Sequence, residues 1–275
     1  MTDTTTSKTT SKTTSKTTSK TTSKTTSKTI GVLGGLGPAA TADFFSKVVA
    51  ATPAATDQDH FHIIIDNNPK VPNRNEAVAG TGVSPAPVLA EMASRLETAG
   101  ADFLVMVCNA AHAFQEAITD AVSVPFVSII EETSDAVKTH VPAGAKVGVL
   151  ASSGCLDTDL YQNALAARGI HALVPEGATK DAFMRLLYRI KAGDKAGDDD
   201  VRADMRQLAE YFIDQGAQAI IAGCTEVPLV LSPAELSVPL INSTDVLVAR
   251  TIAYATGEAD LQTRPRSKRM RVVNA

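Results

Sequence analysis

Four stretches of this chain recur in the same order, each displaced by 114 to 117 residues. Ile30-Gly-Val-Leu33 is answered by Val147-Gly-Val-Leu150, and Asp43-Phe-Phe45 by Asp159-Leu-Tyr161. Gly100-Ala-Asp-Phe-Leu-Val-Met-Val-Cys108 parallels Gly216-Ala-Gln-Ala-Ile-Ile-Ala-Gly-Cys224, and Ser123-Val-Pro125 returns as Ser237-Val-Pro239. A chain written twice at nearly one offset folds as two similar units. Within each unit a short apolar run leads through small residues to an amphipathic stretch, Ala39–Ala51 in the first and Leu156–Arg168 in the second. Apolar residues at helical spacing make both stretches helices. A second helix follows, at about 87–99 and about 200–215, and then a strand that ends in cysteine. Those strands, Phe103–Val107 and Ala219–Ala222, are apolar throughout, as parallel strands covered on both faces must be. The sequence thus predicts an α/β fold of two similar lobes from a duplicated unit. Each is a parallel sheet flanked by helices, with the active site in the cleft between them.

The remaining segments set the boundaries. Residues 1–29 are dominated by a Ser-Lys-Thr-Thr repeat with almost nothing apolar, so they are expected to be a disordered tail. The tract has no arginine and no apolar face, which argues against a transit peptide. The first lobe is expected over 30–128 and the second over 129–241. A helical stretch at about 242–258 returns to complete the first, and 259–275 forms a basic C-terminal tail. With the six lysines and Asp3 of the tail set aside, the remainder carries a net charge of −9, which argues against nucleic acid. No apolar run is long enough to span a bilayer, so no membrane partner is expected. Three cysteines without an export signal fit a reducing, cytoplasmic setting rather than a disulfide framework. Their spacing, with no clustered histidines, does not suit a metal.

Cys108 and Cys224 alone occupy equivalent positions in the two units; Cys155 does not. Singly, each could be a small buried residue. As a pair at equivalent strand ends, each before a predicted helix start that favours a thiolate, they would face each other across the cleft. Two opposed thiols suit two-base proton transfer, in which one takes a Cα proton and its protonated partner returns one on the other face.

At these residues the chain resembles the aspartate/glutamate racemase family. Gly34-Gly-Leu-Gly-Pro38 with Thr41, Asn67-Asn-Pro-Lys-Val-Pro-Asn-Arg74, Cys108-Asn-Ala-Ala-His112 and Gly223-Cys-Thr-Glu226 follow that family's motifs in order. The resemblance implies a two-lobed α/β enzyme, a homodimer, that interconverts L- and D-aspartate or glutamate without cofactor. It implies that Cys108 and Cys224 are the acid/base pair, and that Asn109 and Thr225 hold the α-carboxylate. Arg74 and Lys191 are implied as basic groups for an acidic side chain, with Asn67 and Thr41 as further substrate-binding residues. The chain departs from the family pattern at Ala110, where threonine is usual, and at Asn73, where aspartate is usual.

Several residues keep a second reading. His112 is as readily a helix-start residue bonded to backbone as a group that touches substrate. Glu226 is expected to cap its helix, Lys191 fits a solvated helix end, and Asn67-Asn68 fits a turn. The same scaffold also suits hydantoin racemisation, maleate isomerisation or arylmalonate decarboxylation. A different class is a ligand-binding module whose thiols sense redox state.

Overall fold

The computed structural model describes residues 1–2, 27–193 and 199–261. The Ser-Lys-Thr-Thr repeat from 3 to 26 and the basic tail from 262 lie outside the described residues. The first sheet is built from β1 (Ile30–Gly34), β2 (Ile63–Asn67), β3 (Phe103–Met106) and β4 (Phe126–Val127). The second takes β5 (Lys146–Leu150), β6 (His171–Leu173), β7 (Ala219–Ala222) and β8 (Leu240–Asn242). Every pairing is parallel, and the orders are β2-β1-β3-β4 and β6-β5-β7-β8, the same arrangement twice. The duplication read in the sequence is a duplicated sheet.

The repeated glycines have one physical cause. Gly31 pairs with Leu104, and Gly148 pairs with Ile220. A Cβ at Gly31 would lie 2.7 Å from Ala101 Cβ, and one at Gly148 would lie 2.7 Å from Ile220 and from Phe212. In both lobes the central strand lies too close to its cover for any side chain at that point.

Helices cover the sheets. The first lobe carries α1 (Pro38–Ala51), α2 (Arg74–Val78), α3 (Ala86–Thr98), α4 (Gln115–Ala121) and α5 (Ile129–Val137). The second carries α6 (Ser153–Leu156), α7 (Leu160–Ala166), α8 (Gly177–Ala192) and α9 (Asp199–Asp214), and α10 (Ser243–Thr256) is the last helix among the described residues. The single helix expected over Leu156–Arg168 is broken into α6 and α7. Asp159 stands between them with φ 53°, a left-handed conformation that an α-helix cannot continue through. Of α8 only its end, at Lys191, was among the expectations, although Phe183, Leu186, Leu187 and Ile190 recur at helical spacing and are all buried.

The last helix, α10, packs on α1 and α5. Lys47 pairs with Asp245 at 2.8 Å, and Glu132 receives Arg250 at 2.7 Å and the Tyr254 hydroxyl at 2.8 Å. One apolar core runs through both lobes, from Ile30, Phe44 and Phe103 to Val147, Leu165 and Ile221. Burying each such side chain contributes about 1.5–3 kcal/mol. A second cluster under α8 and α9 is centred on Phe183, Leu187 and Phe212. Among the described residues no helix is long and apolar enough to cross a membrane.

In each sheet the chain order reverses between the two central strands, β1 and β3 or β5 and β7. The crevice beyond the carboxyl ends at such a reversal is where open parallel sheets bind ligands. The loop at 34–38 leaves β1 there, Cys108 follows β3, and Cys224 follows β7.

Candidate active site

Both thiols are nearly buried, Cys108 at 8 % and Cys224 at 9 % exposure, and Cys155 is fully buried. The segments that carry the first two are joined by a chain of side-chain hydrogen bonds that ends on a backbone carbonyl. The Tyr161 hydroxyl donates to Asn109 Oδ1 at 2.7 Å, and Asn109 Nδ2 donates to Ser243 Oγ at 3.1 Å. Ser243 in turn donates to the Ala222 carbonyl at 2.8 Å. The residue after Cys108 is therefore bonded through to the strand end two residues before Cys224. The ring of Tyr161 also packs on Gly223, where a Cβ would lie 2.9 Å from Cε2. One tyrosine thus spans from the neighbour of one cysteine to the neighbour of the other.

The glycine-rich turn after β1 is held from two sides. Thr41 Oγ1 accepts from the Gly35 N–H at 2.9 Å and donates to the Gly37 carbonyl at 3.2 Å. Gly35 has φ 84°, and a Cβ there would strike the backbone of Asn68, so only glycine fits. Arg74 reaches the Leu36 carbonyl at 2.9 Å, Pro72 at 3.0 Å and Val71 at 3.2 Å. Among the described residues its buried Nε has no partner. Arg74 therefore clamps two loops together in this structure, a role its sequence position did not indicate. Asn73 caps α2 by accepting from Asn75 N–H at 3.0 Å. Asn67 ends β2 with its side chain exposed, and Asn68 makes the turn by accepting from Lys70 N–H at 3.0 Å.

His112 resolves to its structural reading. Nδ1 donates to the Cys108 carbonyl at 2.8 Å, and Nε2 accepts from Ile129 N–H at 3.2 Å. Burial pushes its pKa down to about 4, so the neutral ring fastens the Cys108 segment to the start of α5.

Around Cys224 the structure departs from expectation. Glu226 precedes the short 3₁₀ turn Val227–Leu229, but its side chain makes no capping bond. The carboxylate instead turns back on the site. Oε2 accepts from the Cys224 thiol at 3.0 Å and from the Thr225 hydroxyl at 3.1 Å, and Oε1 pairs with Lys191. Lys191, at the end of α8, is therefore part of the cysteine's surroundings rather than a solvated helix end. Burial, then the charge of Glu226, raise the Cys224 pKa well above 9.0, with Lys191 opposing. Burial also works against the Lys191 ammonium, but the Cys224 thiol once ionised and the Glu226 carboxylate outweigh it and raise its pKa above 10.5. Helix dipoles were expected to favour thiolates at both cysteines. The segment next to Cys224 is only the 3₁₀ turn Val227–Leu229, too short to sum a macrodipole, whereas at Cys108 the 3₁₀ turn Ala110–Phe114 stands between the thiol and the start of α4 at Gln115. Cys224 in this state holds its proton.

The second lobe reaches the first here. A Cβ at Gly37 would lie 2.8 Å from Glu226 Oε1 and 3.7 Å from Lys191 Nζ. Behind them, Gly154 N–H donates to Asn75 Oδ1 at 2.8 Å, and Asn75 Nδ2 donates to the Tyr188 hydroxyl at 3.3 Å. Cys108, Asn109, Cys224, Thr225, Lys191, Thr41 and Arg74 thus all border or brace the junction of the lobes, while Asn67 stays at the end of its strand. Sequence reasoning missed Tyr161, Ser243 and the inward turn of Glu226. A groove of about 540 Å³ between α8 and α9, lined by Arg185, Arg189 and Tyr211 among others, is bordered by none of the expected site residues.

The model of the Asp/Glu/hydantoin racemase family matches residues 33–251. The chain belongs to that family. The matched stretch holds every site residue named from the sequence. The racemase family includes relatives of known name. The chain is 29% identical over 228 residues to the broad specificity amino-acid racemase RacX of Bacillus subtilis (strain 168), covering 82% of this chain and 96% of that one. The Picrophilus torridus aspartate racemase structure aligns with a TM-score of 0.73 at 26% identity, covering 83% of this chain and 94% of that one. The glutamate racemase isoform RacE1 of Bacillus anthracis shares the fold, with a TM-score of 0.58 at 20% identity over 82% of this chain and 81% of that one. The chain is an amino-acid racemase by family, and its fold is that of the solved racemases.

Proposed function

We propose that this chain racemises an acidic amino acid, aspartate or glutamate, without a cofactor, by moving the Cα proton between Cys108 and Cys224. The observation that carries the reading is the cross-lobe tie from Asn109 through Ser243 to Ala222, with Tyr161 bridging both cysteine segments. It supports two thiols at equivalent strand ends facing one bound molecule. The thiolate on one side takes the Cα proton, the electron pair passes into the substrate carboxylate, and the opposite thiol returns a proton to the other face. The Cys224 thiol, protonated beside Glu226, is placed to act as donor in the first turnover. The carbanion needs electrostatic support, which the Lys191 ammonium and the Thr225 hydroxyl supply from the Cys224 side. The acidic substrate class rests on the likeness to an aspartate racemase and on two basic groups at the junction, Arg74 and Lys191.

The test is exchange of the Cα hydrogen in D₂O for each L-amino acid, followed with chiral analysis of the product. Wild type should exchange aspartate or glutamate and form the D-enantiomer, and Cys108→Ala and Cys224→Ala should each abolish racemisation while melting like wild type. A Cys108→Ala protein that still racemises near the wild-type rate would remove the two-thiol mechanism. Cys155→Ala serves as the control and should keep its activity.

A further inference from the structure

We infer that Glu226 is a built-in competitor for the carboxylate subsite: it holds the donors an acidic substrate needs and must release them when that substrate binds. The inference rests on the acidic-substrate reading above and adds a determinant of affinity to it. Three donors converge on this one carboxylate, the Lys191 ammonium, the Cys224 thiol at 3.0 Å and the Thr225 hydroxyl at 3.1 Å. Each is a group that the acidic-substrate reading assigns to substrate. The Glu226 side chain is only 7% exposed, so the pairing sits inside the junction rather than on a solvated rim. Carboxylates are rarely buried unless their oxygens are satisfied, and here both oxygens are.

The first lobe makes room for this arrangement. Gly37 has φ 175°, extended backbone open to any residue, so no conformational need explains a glycine there. What an alanine Cβ there would meet is the tip of the Glu226 side chain, Oε1 at 2.8 Å, so it would press on the carboxylate in its present seat. The duplicated frame does not require the carboxylate either, since the residue two after Cys108 is Ala110. Glu226 is an addition to one half of a two-fold design, aimed at the donors. Lys191 ends α8 with its side chain 31% exposed, so its long stem can follow an incoming carboxylate while Glu226 withdraws. Binding of an acidic substrate is then an exchange of one carboxylate for another, and its affinity is lowered by the partner it displaces.

The experiment is calorimetric titration with succinate, a dicarboxylate without an amino group to be racemised, so that binding is read apart from turnover. Wild type, Glu226→Gln and Glu226→Gln/Lys191→Gln are compared. The Glu226→Gln protein should bind succinate about tenfold more tightly or better, the scale of one charge-assisted hydrogen bond made available. The gain should vanish in the double variant, because it depends on Lys191. Glu226→Ala carries the same expectation as Glu226→Gln. Equal or weaker succinate binding in both single variants overturns the inference, as does a gain that persists without Lys191. Loss of the fold in both would do so too, because a carboxylate essential to folding cannot leave its seat at each binding event. If wild type racemises aspartate or glutamate but succinate binding is unchanged by Glu226→Gln, the competitor role alone fails. If it racemises neither while the succinate gain appears, the substrate assignment fails instead.

Discussion

Replacing His112 with glutamine should flatten the dependence of stability on pH. In the folded protein the ring is neutral by construction: Nδ1–H faces the Cys108 carbonyl and Nε2 receives the Ile129 N–H. A proton on Nε2 would set donor against donor in a site with 2% exposure. Burial lowers the folded pKa from 6.5 to about 4. The unfolded chain therefore binds a proton at a pH where the folded one refuses it. The sign follows: the His112 contribution is intact above pH 6.5 and is lost as pH falls through about 4. The full span is worth about 3 kcal/mol, and about 2 kcal/mol of it falls between pH 7 and 4.5. Urea unfolding followed by circular dichroism at those two pH values measures it. His112→Gln should be less stable at pH 7, having lost the two-sided clamp, yet should lose about 2 kcal/mol less than wild type on acidification. Carboxylates titrate in both proteins and cancel in the comparison. Parallel losses in the two proteins would refute the argument that the imidazole is locked neutral.

Two further substitutions probe the scaffold of the site. Tyr161→Phe removes only the hydroxyl and leaves the buried Asn109 Oδ1 without its donor, so it should cost about 1–3 kcal/mol of stability. Turnover should fall by about tenfold to a hundredfold as the Cys108 segment loses its tie; an unchanged melting temperature and rate would contradict the bridge. Arg74→Ala frees the carbonyls of Leu36, Val71 and Pro72. It should lower the melting temperature, and Arg74→Lys should not restore it because a lysine cannot hold three carbonyls with a planar fork. Full rescue by lysine would show that charge alone matters there.

The repeat made the two sheets legible because a backbone frame needs only apolar strands and small residues at close approaches, and those recur with the offset. The strand Ala219–Ala222 and the helix Ser243–Thr256 fall where periodicity put them. Side-chain direction was not legible in the same way. The repeat sets Tyr161 opposite Phe45, but Phe45 is 43% exposed on α1 while Tyr161 is fully buried. The helix break at Asp159 makes the second lobe differ from the first, whose α1 is unbroken, and its signal is a single left-handed residue that no periodicity records. Glu226 misled for a related reason. A glutamate before a turn looks like a cap, but Lys191 lies 35 residues away in sequence and is brought to it only by the packing of α8.

What the lobes share and where they differ bears on the proton itself. On the two-thiol reading the duplicated frame supplies two equivalent bases, but a turnover can begin only when one is a thiolate and the other a thiol. Symmetry cannot make that choice. The charged side chains that break it most directly are Glu226 and Lys191, which pair beside Cys224, whereas Ala110 stands two residues beyond Cys108. Burial and the carboxylate beside Cys224 keep that thiol protonated, so on the two-thiol reading Cys224 enters the first turnover as the proton donor. This bias has a strict bound, because enantiomers in water have equal free energy and their equilibrium constant is unity. The ratio kcat/KM must then be the same for the L- and D-forms. Glu226 can change kcat for one enantiomer relative to the other only with a matching change in the ratio of their KM values, so the asymmetry decides which enantiomer is held more tightly, not which one accumulates.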